Sequence, residues 1–195
     1  MIVFHCEEIS KANFSDKSEV MQTARLKVRR GEIVCALCSG TLAIHDCYPR
    51  HCLEDGGKRH DGWIAQGHCV TCNVYPALIP SFIKPRKHYK SDVIERVIES
   101  AEAGDNLESL SVCAADISTM RRWVRGFKER VERVVSCLIS GVPTLRNAYI
   151  GSYDFHSMTL MQQLSRLLSG YPARQSGGVI ANVNIILTTH NCGFL

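Results

Sequence analysis

The chain has 195 residues, of which 45% are hydrophobic and 22% charged, with a formal net charge of +4. That length suits one large domain or two small ones, and the composition argues for a packed core and against wholesale disorder. No segment approaches the roughly 18 consecutive apolar residues of a membrane span, and MIVFHCEEISKANF has too short an apolar run and too early acids for a secretory signal. The expected location is therefore the cytoplasm, away from membranes. There the ten cysteines are expected as thiols or metal ligands, not as bridges.

Residues 1–31 mix a short apolar start (Ile2, Val3, Phe4) with a polar, charged stretch and read as an N-terminal lead-in. Residues 32–86 read as a small unit of short antiparallel strands and turns. Two C-x2-C pairs, CALC at 35–38 and CVTC at 69–72, stand thirty residues apart within it. A pair at that spacing lets two thiolates reach one ion from a tight turn, and two such turns close a tetrahedral site. Ser39 and Gly40 supply the small residues that a tight turn needs. A redox pair would open a helix in a thioredoxin-like context, and neither pair does. The expectation is one structural Zn2+ on Cys35, Cys38, Cys69 and Cys72, a zinc ribbon. Four thiolates leave no open position for catalysis at the ion.

Cys47, Cys52, His45, His51, His60 and His68 lie in the same unit, but their spacings form no second pair of knuckles, so they are expected on strands or at the surface. Cys6, Cys113, Cys137 and Cys192 are scattered and read as small buried hydrophobes. Pro76, Pro80 and Pro85 punctuate the exit from the unit.

Residues 87–139 change to a helical period. Val93, Ile94, Val97, Ile98 and Ala101 recur at helical spacing, with Ser91 as the expected N-cap and Gly104 as the stop. After a shorter apolar piece (Leu107, Leu110, Val112) and a turn at CAADIS comes a long amphipathic helix. Its stripe is Met120, Trp123, Val124, Phe127, Val131, Val134, Val135 and Leu138. Residues 118–134 hold six Arg and Lys against two acids, and PRKHYK at 85–90 is basic as well.

Ser118, Thr119, Arg121, Arg122, Arg125 and Lys128 fall on the outer and flanking faces near the start of the long helix. Ser118 or Asp116 is expected to cap it. Two helices joined by a turn, the second with basic first turns, is the layout of a helix-turn-helix that reads the major groove. The expected partner is double-stranded DNA. A second reading is a zinc-ribbon adaptor that binds a protein partner, without DNA, through the basic helix or the apolar C-terminal segment.

Residues 140–195 read as a mixed C-terminal extension of unknown role. A helix is expected from about Ser157 to Leu168, and GVIANVNIILTTHNCGFL is apolar without a clean period. The acids left after the turn, Glu129, Glu132 and Asp154, cannot form a two-metal site. No phosphate loop or nucleophile elbow appears, and His156, His190 and Cys192 make no convincing Cys/His pair. No catalysis is expected, and the fold class is α+β.

The two knuckles, the run YPALIPSFIKPRKHY, and a helical module ending in STMRRWVRGF together resemble a bacterial family of zinc-ribbon plus helix-turn-helix proteins. These are similar to the N-terminal DNA-binding part of insertion-sequence transposases. The resemblance covers about residues 30–130. It implies zinc on the same four cysteines and DNA contact by the helix from Thr119. One departure is visible: such knuckles often have Pro after the first Cys and Gly after the second, where this chain has Ala36 and Ser39.

Overall fold

A computed structural model describes residues 1–4, 13–84, 87–110, 114–150, 155–171 and 178–189. Cys6, Cys113, Cys192, Pro85, Arg86, Asp154 and His190, all singled out above, lie outside these residues. The class is α+β: among the described residues, one four-stranded sheet, in the order β1-β4-β3-β2, and six α-helices.

β1 (Ile2–Phe4) pairs in parallel with β4 (Ala77–Pro80), and β4 pairs antiparallel with β3 (Arg59–Cys69). β2 (Leu42–Leu53) and β3 form a long antiparallel hairpin, from Leu42 opposite Cys69 to Leu53 opposite Arg59. Short strands were expected here, yet β2 and β3 run for 12 and 11 residues. A register shift between Ile44 and Asp46 breaks the alternation that would reveal a strand this long. At Gly62 of β3 an added Cβ would overlap the ring of Phe14, so glycine is what lets Phe14 close over the sheet.

The described part of residues 1–31 packs onto this sheet. α1 (Lys17–Arg29) is capped by Asp16, which accepts from the amides of Ser18 at 2.7 Å and Glu19 at 3.2 Å. It buries Val20, Ala24 and Lys27 against the hairpin. That stripe is hard to see in the sequence because one member is alanine and another is a lysine stem, whose ammonium reaches Glu32 at 2.8 Å.

The second unit is helical. α2 (Ser91–Ala103) and α3 (Ile117–Gly141) pack together, and α4 (Pro143–Ile150), α5 (Leu160–Ser169) and α6 (Val179–Thr189) complete one core with them. The described part of the C-terminal region is thus built into the same core as the basic helix. Gly104 ends α2 with φ 89°, as expected. Ser91 does not cap α2: it is the first helical residue, and its hydroxyl donates to the Ser81 carbonyl at 3.1 Å. α5 begins three residues later than expected because Thr159 and Gln162 form a reciprocal capping box there. α6 shows no period because it is buried almost all round; Ile180, Ala181, Asn182, Val183, Asn184, Ile186 and Leu187 are all inside.

Two acids on α2, seven residues apart and so on one face, organise the later helices. Glu95 accepts from the amides of Val179 at 2.8 Å and Ile180 at 3.0 Å, at the start of α6. Glu102 accepts from Leu160 and Met161, both at 3.0 Å, at the start of α5. Each carboxylate satisfies amides that have no partner within their own helix, at the positive end of its dipole. A Cβ at Gly178 would overlap the Glu95 carboxylate, so the close approach needs glycine.

Candidate metal centre and basic helix

The long hairpin brings both knuckles to one end of the sheet. The first precedes β2, and the second follows from the last residue of β3, Cys69, which stands opposite Leu42. The two turns share one backbone pattern. Cys35 N–H donates to the Gly40 carbonyl at 2.9 Å and Ser39 N–H to the Cys35 carbonyl at 2.8 Å. Likewise Cys69 N–H donates to Val74 at 2.9 Å and Asn73 N–H to Cys69 at 2.8 Å.

Ser39 and Asn73, each the residue after the second cysteine of its knuckle, have φ 58° and 54°. This is the left-handed position where glycine is usual. The sequence departure at Ser39 is therefore accommodated without changing the turn. Gly40 is the residue that cannot be enlarged: a Cβ there would stand 2.6 Å from Thr71 Oγ1 and 3.2 Å from Cys38 Sγ, between the two knuckles.

The four sulfurs of Cys35, Cys38, Cys69 and Cys72 lie within 4.8 Å of one another. Three separations are 3.6 Å (Cys35 to Cys72), 3.5 Å (Cys38 to Cys69) and 3.5 Å (Cys38 to Cys72). A tetrahedral ion with sulfurs at about 2.3 Å requires edges of about 3.8 Å, so the donor set fits one. Among the four thiols, the amides of Cys72 and Thr71 hold Cys69 down to about 6, whereas burial pushes Cys72 up to about 12. The arrangement can hold a metal ion, and it is the only such group of His, Cys, Asp or Glu among the described residues.

The other candidates of this unit are strand residues. Cys47 and Cys52 are both buried on β2, five apart and therefore on opposite faces, and burial raises both thiols. His51 stacks on His88 at 4.5 Å and His68 on Tyr75 at 4.5 Å. His60 pairs with Glu54 at 2.6 Å, and Glu54 also pairs with the buried ammonium of Lys90. One cysteine departs from expectation: Cys137 on α3 is disulfide-bonded.

The sheet also positions the basic helix. The segment entering α2 runs along the end of β2, with Leu53 N–H donating to His88 at 2.6 Å and Lys90 N–H to Leu53 at 3.1 Å. Tyr89 then meets the Trp123 ring edge-on at 4.9 Å. On α3, Met120, Trp123, Phe127, Val131, Val134 and Leu138 are buried and Val124 and Val135 half-buried, which is the stripe read from the sequence.

Asp116, not Ser118, caps α3: its carboxylate accepts from Ser118 N–H at 2.8 Å. Bonds from Ser118, side chain and amide, hold the Asp116 carboxyl below its usual range. Ser118, Arg121, Arg122, Arg125 and Lys128 are exposed and Thr119 is half-buried. Arg121 pairs with Glu108 at 3.0 Å, and Arg122 donates to the Thr119 hydroxyl at 3.3 Å.

Between α2 and α3 the described residues contain a single 3-10 turn, Leu107–Ser109. Residues 104–116 thus make a longer connection than the three or four residues of a tight helix-turn-helix turn. Among the described residues, no helix is long and apolar enough to cross a membrane.

Three features escaped the sequence reading. The acids Glu95 and Glu102 serve helices 58 to 85 residues away, so no local signal marks them. Lys84 carries no local signal in the sequence, yet it is only 6% exposed. The exposure of Leu37 (62%), Val70 (69%) and Tyr75 (50%) around the knuckles was also not foreseen.

A family model described as a domain of unknown function (DUF6431) matches residues 35–123, a little under half of the chain. The match opens on the first cysteine of the first knuckle and closes on Trp123 of α3. No curated protein and no solved structure matches the chain.

Proposed function

We propose that the protein is a zinc-stabilised DNA-binding protein, a transcription regulator or mobile-element accessory protein, that meets the major groove with the start of α3. The observation that carries this reading is the set of exposed cations on the first turns of α3 (Arg121, Arg122, Arg125, Lys128), on a helix whose opposite face is fixed in a core. Guanidinium groups held this way can pair bidentately with guanine and neutralise phosphates. The four-thiolate donor set favours a soft, tetrahedral ion, zinc before iron. Its role is to hold the knuckle end of the sheet, because four protein ligands leave no place for a reacting molecule.

The test is duplex binding as a function of salt. Affinity should fall steeply with salt, with a slope of about −0.9 per phosphate neutralised. The Arg121→Ala, Arg122→Ala, Arg125→Ala triple variant should lose at least about a hundredfold in affinity, at roughly 1–3 kcal/mol per specific arginine, and keep its helical circular dichroism. Duplex binding with no salt dependence, or unchanged in the triple variant, would sink the reading. Metal analysis should find about one zinc per chain.

A second reading, a protein adaptor, draws on the exposed Leu37, Val70 and Tyr75 beside the knuckles. Substituting these three should leave duplex binding intact if the first reading holds. An apolar protein interface should also be insensitive to salt.

A further inference from the structure

Where the sheet unit meets the helical unit, a cavity of about 270 Å³ opens between the exit from β4 and the flank of α3. Lys84 and Lys87 face it from one side and Arg122, Arg125 and Arg130 from the other, with Glu129 as the single acid of the lining. Its floor is apolar, formed by Ile94, Ile98 and Phe127.

Lys84 is buried, and no carboxylate or other acceptor among the described residues takes its ammonium. The other buried lysine of this junction, Lys90, is paired with Glu54. Burial, then the nearby charges of Arg130 and Lys87, hold Lys84 down to about 7. Lys87 is lowered for the same kind of reason, with Arg122 and Arg130 as the neighbouring charges. These cations crowd one another with Glu129 as the single acid of the lining, which is costly unless an anion enters.

The arrangement is held in place. Arg50 of β2 donates to the carbonyls of Lys84 at 3.3 Å and Lys87 at 2.8 Å, and Lys87 N–H donates to the Lys84 carbonyl at 3.2 Å. On the other wall, Arg130 folds back over Gly126, where a Cβ would come within 3.0 Å of its terminal nitrogen. A glycine inside a helix costs about 1 kcal/mol relative to alanine. Here it leaves the guanidinium room to lie against the cavity.

We infer that this cavity is a phosphate-class oxyanion site, in which Lys84 is the buried ligand and Lys87, Arg122 and Arg130 close around the anion. Glu129 is no obstacle, since it leans toward Arg125 at 4.0 Å. The phosphoryl group can come from a DNA backbone or from a free phosphorylated ligand. The inference goes beyond the DNA reading: it shares Arg122 and Arg125 with it, but Lys84, Lys87 and Arg130 are its own.

The experiment compares the full chain with Lys84→Met, a substitution that fills the same space without charge. Inorganic phosphate is titrated at ionic strength held constant with chloride, reading phosphorus NMR line broadening and the unfolding midpoint. Duplex affinity is measured across salt in parallel. Phosphate binding that weakens at least tenfold in Lys84→Met supports the site. If duplex affinity and its salt slope also drop in the variant, the slope by about one, the phosphate is the backbone's. If duplex binding is unaffected, the ligand is a free one.

Phosphate bound by a protein that does not bind duplex at all would overturn the DNA reading and leave this site standing. Lys84→Met that matches the parent in both phosphate and duplex binding overturns the site, as does absence of phosphate binding together with an unchanged duplex slope. Arg130→Gln, an exposed change, gives the same comparison if Lys84→Met fails to fold.

Discussion

The sheet unit and the helical unit hold together by different means. In the sheet unit the buried set is thin: Phe14 is its only fully buried aromatic among the described residues, and two of its core positions are the metal-site cysteines Cys35 and Cys69. In the helical unit Trp123, Phe127 and Phe155 sit among leucines, isoleucines and valines from all five helices. A unit with little apolar core gains from a cross-link, and four thiolates placed to hold one ion can supply it. The helical unit has the larger apolar core, and it can spend surface on exposed cations.

The comparison breaks first at the metal. Removing the ion, or Cys69→Ser, should cost the sheet unit most of its stability, since a structural zinc contributes apparent free energies of about 10–16 kcal/mol in small domains. Amide exchange should then show protection lost along β2 and β3 and retained in α3 and α5. Uniform loss, or none, would mean that the two units do not differ as described.

A core truncation should do the reverse. Phe127→Ala, at a side chain 2% exposed, is expected to cost about 3–5 kcal/mol, read by chemical denaturation, while the metal stoichiometry stays unchanged.

Next in size is Lys84. Its depressed value means that charging it in the folded protein is unfavourable. That cost is present in full below about 7 and fades as pH rises toward the ordinary lysine value of 10.5. Lys84→Met should therefore stabilise the free protein at pH 6, by on the order of 5 kcal/mol at most, with the gain shrinking as pH approaches 10. A pH-independent difference would remove the buried charge from the account.

Smaller again is Glu95. Glu95→Ala leaves the first amides of α6 unsatisfied and should cost about 1–3 kcal/mol, with Glu95→Gln recovering part of it because an amide oxygen can still accept. Burial raises the Glu95 carboxyl above its usual range. A raised carboxyl binds its proton more tightly when folded, so its contribution to stability declines as pH rises through that range. The Gln variant should lack this decline.

The contrast also decides what could be read from the sequence. The knuckles are legible because ligand spacing is local: Cys35 and Cys38 declare a turn without reference to anything else. α3 is legible because Met120, Trp123, Phe127, Val131, Val134 and Leu138 fall on one face while arginines hold the other. α6 has no polar face to set against its apolar one, and α1 replaces a hydrophobic position with the stem of Lys27. Glu95, Glu102 and Lys84 take their meaning from partners, or from the lack of one, that only the fold brings near.

The amide of Val3 in β1 donates to the hydroxyl of Thr188 in α6 at 3.2 Å, across 185 residues of chain. β1 belongs to the sheet and α6 to the helical core, so this contact joins the units through the two most widely separated described elements. Closing so long a loop is entropically unfavourable until most other structure has formed. The junction is therefore expected to assemble last and to open first, at free energies well below global unfolding. Opening such a latch would free β1 from α6 without either core coming undone, while the bonds of Leu53 to His88 and Lys90 still tie the sheet to the start of α2.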